Sequence, residues 1–223
     1  MRPKEYSLRE RKHAKTKIAI MNAFIERLEK TRFDDISIRQ ICKSVEISEG
    51  TFFNYFPEKI DIINYYMNLM FLKVVAKARK DVPQGQYIPL INAIFARMAE
   101  LLSNNNIVYQ MISLMLVQRE RPKTVAISNL ERQIFFPGSE SIENVRVMLI
   151  DDFLRECLVG AVNSGELPKD LKINDVQVSL ITILGGTLLA AKFAAIKDRS
   201  YHYTRQLQFL WNGLGVKKAT RAK

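Results

Sequence analysis

Two cysteines and two histidines in 223 residues leave this chain little with which to build a metal site or a disulfide framework. Cys42 and Cys157 stand on apolar helical faces and read as reduced, buried thiols. His13 and His202 lie near opposite ends, and no Cys/His spacing of the kind that holds zinc is present. No convincing strand is found, so no glycine-rich loop can follow one. Asp151-Asp152 is the tempting acid pair, but adjacent helical residues point about 100° apart and do not share a site easily. Gly185-Gly186 reads as helix packing. No enzyme is expected, and no cofactor or metal is implied.

Other absences bound the setting. The charged N-terminus has no apolar segment before a cleavage site, so no secretory signal is expected and the cytoplasm is the expected compartment. Internal repeats and low-complexity tracts are missing. Only one long apolar run occurs, residues 176–196, which approaches the length of a membrane span. It contains Gln177, Ser179, Thr182, Thr187 and Lys192, and a helix apolar on nearly all sides also suits a core or subunit interface. That second reading is expected, with no membrane partner.

What the chain does have is positive charge. The net charge is +11 and the pI near 9.7, which fits a polyanionic partner. Residues 1–59 carry thirteen Lys/Arg against nine Asp/Glu, and the last seven residues carry four cations and no acid. The basic N-terminal segment, residues 1–15, reads either as a partly disordered arm or as an extension of the first helix. Beside a DNA-reading unit it could touch phosphate or minor groove. Residues 216–223 read as a basic tail.

Residues 37–59, SIRQICKSVEISEGTFFNYFPEK, are the most specific stretch. Ser37 is placed to cap a short helix, with Gln40 at capping-box spacing. Ile38, Ile41, Cys42 and Val45 then form one apolar stripe. Ser48 caps the next helix after a brief turn, which makes a helix-turn-helix. On a wheel, Phe52, Phe53 and Phe56 group on one side beside Glu49, and Gly50, Thr51, Asn54 and Tyr55 on the other. Asn and Thr can read base edges, and Gly lets a phosphate approach the backbone. Lys59 begins the following helix, where ammonium and free amides could meet a phosphate.

From about Thr16 to Tyr65 the chain resembles the DNA-binding domain of TetR-family transcriptional regulators, with Ser48, Gly50, Thr51, Phe52, Phe53, Phe56, Pro57 and Lys59 in register. Glu46 stands where that family usually has Gly, at a left-handed turn. A non-glycine residue there costs about 1 kcal/mol or more, so a slightly altered turn is expected. Phe53 stands where the family often has a phosphate-binding Tyr, and Tyr55 is expected to take over that contact. The candidate DNA-contact set is Ser37, Arg39, Ser48, Glu49, Gly50, Thr51, Asn54, Tyr55 and Lys59, with double-stranded DNA as partner.

The expected fold is all-α. A three-helix helix-turn-helix domain at residues 16–65 precedes a larger helical domain at 66–215. Helices are expected at 16–31, 57–80, 88–103, 106–121, 124–135, 141–165, 174–196 and 201–214, besides the two short ones. The resemblance implies a homodimer formed through the last two long helices, with Leu180, Leu184, Leu188, Ala191, Phe209 and Leu210 as candidate interface residues. It also implies a small-molecule effector. Phe95, Met98, Tyr109, Met111, Met115 and Phe153 are candidates to line its site, with Phe135 and Phe136 as further apolar candidates and Arg97, Gln110 and Arg119 as polar ones. The function expected is a ligand-responsive regulator, most simply a repressor on a pseudo-palindromic operator. The alternative is a DNA-binding protein without an effector.

Overall fold

The computed structural model describes residues 5–104, 106–194 and 198–216; residues 217–223 of the expected tail and the first four residues of the arm lie outside them. Ten α-helices and one short 3-10 turn make up the described chain, with no strand among the described residues. The helices are α1 (Leu8–Leu28), α2 (Ile38–Val45), α3 (Glu49–Tyr55), α4 (Lys59–Asp81), α5 (Tyr87–Asn104), α6 (Asn106–Leu116), α7 (Asn129–Phe135), α8 (Ile150–Asn163), α9 (Ile173–Phe193) and α10 (Arg199–Gly213).

The chain divides into two compact units. One comprises Met1–Lys73 with Asn106–Val147; the other comprises Val74–Asn105 with Met148–Lys223. Residues 106–147, expected in the larger domain, therefore fold with the helix-turn-helix. The helix α4 supplies residues to both units.

In the first unit α1 begins at Leu8 rather than near residue 16, because Ser7 and Glu10 form a complete capping box. Ala14, Ile18, Met21, Phe24 and Leu28 make its buried stripe. Lys17 is buried with them. Its ammonium lies 3.3 Å from the Glu131 carboxylate, donates to the Ala126 carbonyl at 3.0 Å, and sits over the Tyr65 ring. Glu131 in turn completes a capping box with Ser128, which starts α7 at 129 instead of 124.

A second buried cation sets the following loop. Arg132 donates to the carbonyls of Ile142, Glu143 and Val145 at 2.7–2.9 Å. The Ile142 carbonyl also accepts from the Val145 amide in a tight turn, and α8 starts at 150 rather than at the expected 141. Burial lowers the pKa of Arg132, with Glu131 and Glu143 opposing the shift.

In the second unit α5, α8, α9 and α10 surround Phe95, Phe153, Leu154, Leu158, Leu180 and Tyr203. Phe95 meets Tyr203 edge to face at 5.5 Å, and Tyr203 donates to the Leu184 carbonyl. Gly160 is required where α8 passes α5: a Cβ there would lie 2.2 Å from the Tyr87 ring. The Glu166 carboxylate caps α5, accepting from the amides of Tyr87 and Ile88.

Candidate nucleic-acid interface

The unit at residues 37–56 forms as its cap chemistry dictates. Ser37 accepts from the Gln40 amide and opens α2; Ser48 accepts from the Thr51 amide and opens α3. The Ser48 and Thr51 hydroxyls also lie 2.9 Å apart, so each holds the other in place. Between the helices the expected alteration of the turn does not occur. Glu46 adopts the left-handed conformation itself, φ 57°, ψ 47°, and is the one described non-glycine residue at positive φ. The amides of Glu46 and Ile47 both point at the Cys42 carbonyl, which closes α2. Arg27 of α1 fastens this arrangement from outside, donating to the Gln40 carbonyl and the Ser44 hydroxyl.

The aromatic side of α3 needs correction. Phe52 and Phe56 are fully buried, but Phe53 is 45% exposed, and Glu49 is exposed as well. The apolar arc centres on Phe52, and Phe53 falls at its rim, edge to face with Phe52 at 5.4 Å. Tyr55, assigned to the outer face, is half-buried, its ring 4.7 Å from His13 of α1. The outward side of α3 thus presents Glu49, Gly50, Phe53 and Asn54, with Thr51 partly exposed. Gly50 has no internal reason to be glycine. A Cβ there would approach only the Ser48 hydroxyl, at 3.9 Å, and its φ is not positive. The position therefore leaves room for an external group to approach the backbone at the first turn of α3.

Arg39 is exposed on α2. Lys59 is differently engaged than expected. Its ammonium donates to the carbonyls of Phe33, Asp34 and Ile36 and lies over the Phe33 ring. Three donors are all an ammonium has, so Lys59 ties the α1–α2 loop to α4, and its charge is shared with the protein's own backbone.

The candidate effector residues divide between the units. Phe95, Met98 and Phe153 are buried in the second; Tyr109, Met111 and Met115 belong to the first, with Met111 buried and the other two half-buried. Phe135 and Phe136 also belong to the first, packed on each other and on α4 through Tyr66 and Lys73. Arg97 is held in ion pairs with Asp81 and Glu100, whose hydrogen bonds raise its pKa. Met115 and Arg119 line a small cavity of about 370 Å³ with Asp61 and Asn64 in the first unit. The second unit has a larger cleft, about 1250 Å³, bounded by the α4–α5 turn, the α8–α9 turn and the end of α10. Gln86, Ile88, Asn92, Leu167, Gln208 and Trp211 are among its lining. None of the residues expected to line an effector site borders it. Trp211, which does, is the chain's single tryptophan, a signal available in the sequence.

The candidate subunit face is also shifted in phase. Leu180 and Leu188 turn into the second unit's own core, so they cannot contribute the outer surface expected of them. The exposed apolar residues of α9 are Val178, Ile181, Leu189 and Phe193, the last 85% exposed. Leu184, Ala191 and Leu210 are half-buried, and Phe209 is exposed on α10 under the Arg205 guanidinium. Gly185 and Gly186 have open space where a Cβ would stand. The helix α9 is long and apolar enough to cross a membrane by length and composition.

No protein-family profile matches the chain. Over 73 residues it is 27% identical to an uncharacterised helix-turn-helix transcriptional regulator of Bacillus subtilis, YuxN; the match spans 30% of this chain and about a quarter of that relative's length. Solved structures match over nearly the whole chain. Thermus thermophilus FadR, a TetR-family transcriptional repressor in complex with lauroyl-CoA, superposes with a TM-score of 0.61 at 20% identity, covering 93% of this chain and 99% of that one. Bacillus subtilis FadR, in complex with stearoyl-CoA, gives 0.61 at 16% identity, covering 88% and 98%. The fatty acid degradation regulator FadR of Bacillus halodurans gives 0.59 at 15% identity, covering 96% and 100%. The fold is that of the TetR-family regulators.

Proposed function

We propose that this chain, with the TetR-family fold as its frame, is a homodimeric transcriptional regulator that reads a pseudo-palindromic site in cytoplasmic DNA and acts as a repressor by occluding it. The observation that carries the reading is α3 itself. It is capped at Ser48, anchored by Phe52 and Phe56, and presents Asn54 together with a glycine that nothing inside the protein requires. Residues 16–65 would dock in the major groove, Asn54 and Thr51 facing base edges and Ser37, Arg39 and Ser48 the backbone.

One such helix contacts few bases, and two-fold pairing doubles the site. The exposed face of α9 with Phe209 supports that pairing: Val178, Ile181, Leu189 and Phe193 offer apolar surface, and Gly185 and Gly186 permit close helix approach. Phe193→Asp with Leu189→Asp should give monomers in sedimentation and weaken operator binding, whereas association with detergent or lipid in the wild type would favour a membrane role for α9.

An effector would be held by the second unit, and the cleft beside Trp211 is the volume it offers. The acyl-CoA esters bound to the two FadR structures make a fatty-acyl thioester the first class to try. Coupling of about 1–3 kcal/mol would change DNA affinity 5–150-fold, carried through α4, which both units share. A regulator without an effector is the second reading, favoured by the close packing of Phe95, Met98 and Phe153. The DNA assignment is tested with Asn54→Ala on a fragment recovered from genomic DNA. Specific affinity should fall with thermal stability unchanged; equal affinity would remove α3 as the reader.

A further inference from the structure

The first two turns of α1 carry Arg9, Arg11, Lys12 and Lys15, all exposed. The acid among them, Glu10, turns its carboxylate back to the Ser7 amide and hydroxyl. Because the capping box makes this segment helical from Leu8, its side chains have a defined register.

Two contacts orient that register toward the helix-turn-helix. His13 lies against Tyr55 of α3, and Arg27 reaches Gln40 and Ser44 of α2. At roughly 100° per residue, Arg9, His13 and Arg27 fall within about 40° of one another. Lys12 lies about 100° from His13, midway between Arg9 and Lys15, whereas Arg11 and Lys15 point about 160° away from His13. The four cations are therefore not equivalent.

Resting on the DNA reading above, we propose that Arg9 and Lys12 grip the phosphates flanking the groove that α3 enters, while Arg11 and Lys15 face away from the duplex. The charge is complementary to DNA, and the guanidinium fork of Arg9 matches phosphate geometry. Such contacts add affinity without sequence preference, since backbone contacts position rather than specify. The bound footprint then extends along α1, beyond the helix-turn-helix.

The test uses the full-length protein and a fluorescent duplex of arbitrary sequence several helical turns long. Affinity is followed between about 50 and 200 mM salt, where phosphate neutralisation governs the slope. Arg9→Ala/Lys12→Ala should shallow the log–log salt slope by about 0.9 for each phosphate no longer neutralised. Arg11→Ala/Lys15→Ala should keep the wild-type slope. All four side chains are exposed, so helicity and melting temperature should stay level and serve as the folding control. Equal slopes for the two double variants, or a shallower slope confined to Arg11→Ala/Lys15→Ala, would overturn the assignment. Failure of the wild type to bind any duplex at low salt would instead overturn the DNA reading on which it rests.

Discussion

The Lys17 ammonium of α1 and the Glu131 carboxylate of α7 form an ion pair 3.3 Å apart with both side chains at least nine-tenths buried. Removing one partner from such a pair is far more damaging than removing both, because the survivor stays charged and buried. Lys17→Met should cost about 3–5 kcal/mol in urea unfolding. Adding Glu131→Gln, which is neutral yet can still accept from the Ser128 amide, should recover most of that. A Lys17→Met protein as stable as wild type would contradict the pairing.

Two glycine exchanges on either side of Ser48 should move stability in the same direction for opposite reasons. Glu46→Gly removes the left-handed Cβ penalty, and after the extra chain entropy of glycine it should stabilise by about 0.5–1 kcal/mol. Gly50→Ala, in the first turn of α3, should stabilise by less than the ~1 kcal/mol of a helix interior. DNA affinity separates them: it should hold for Glu46→Gly and fall about tenfold, or 1.4 kcal/mol, for Gly50→Ala. Unfolding curves together with anisotropy titrations decide this. Full DNA affinity in Gly50→Ala would mean that no backbone approach occurs there.

Burial pushes the Cys157 thiol from an ordinary 9.0 up to about 12, with Arg79 opposing and Glu156 and Glu166 adding. Folding therefore favours the protonated thiol. The stability it confers is complete below pH 9 and is lost as the pH rises toward 12, because the unfolded chain ionises first, at up to about 1.4 kcal/mol per pH unit. Tyr65 and Tyr203, also raised by burial, add to the alkaline loss. Cys157→Ala should show a shallower decline between pH 9 and 11 than wild type; parallel curves would argue against the shift. At pH 8 the native thiol should resist alkylation until the protein unfolds.

Trp211, the single tryptophan, donates to the Asn92 side chain at 2.8 Å at the edge of the large cleft. Titration with lauroyl-CoA should change its emission and release the protein from DNA, and Trp211→Phe should remove the optical signal. An emission and a DNA affinity both insensitive to acyl-CoA would leave the effector-free reading in place.

Local chemistry was the legible part of this chain. The caps at Ser37 and Ser48, the apolar stripe of α2 and the buried Phe52–Phe56 pair follow from spacing alone. Distant partners were not legible. Lys17 looks like one more exposed cation next to the basic arm until its acceptor, 109 residues on at Ala126, is brought to it. Arg132 carries no local sign that it will draw in the carbonyls of 142–145. Lys59 shows the same limit at shorter range, since its ammonium serves carbonyls at 33–36. The misplacement of Leu180 and Leu188 has another cause: a helix apolar all round gives no phase from which to choose its outer face.

Selection of fragments bound by the full-length protein from the source genome tests the DNA-reading role most directly. Enrichment of one inverted repeat is expected, its half-sites separated by one helical turn or a multiple of it, in promoter regions, and lost with Asn54→Ala. Recovery of fragments with no shared sequence, or the same motif undiminished by Asn54→Ala, would contradict the assignment of α3 as the reading helix.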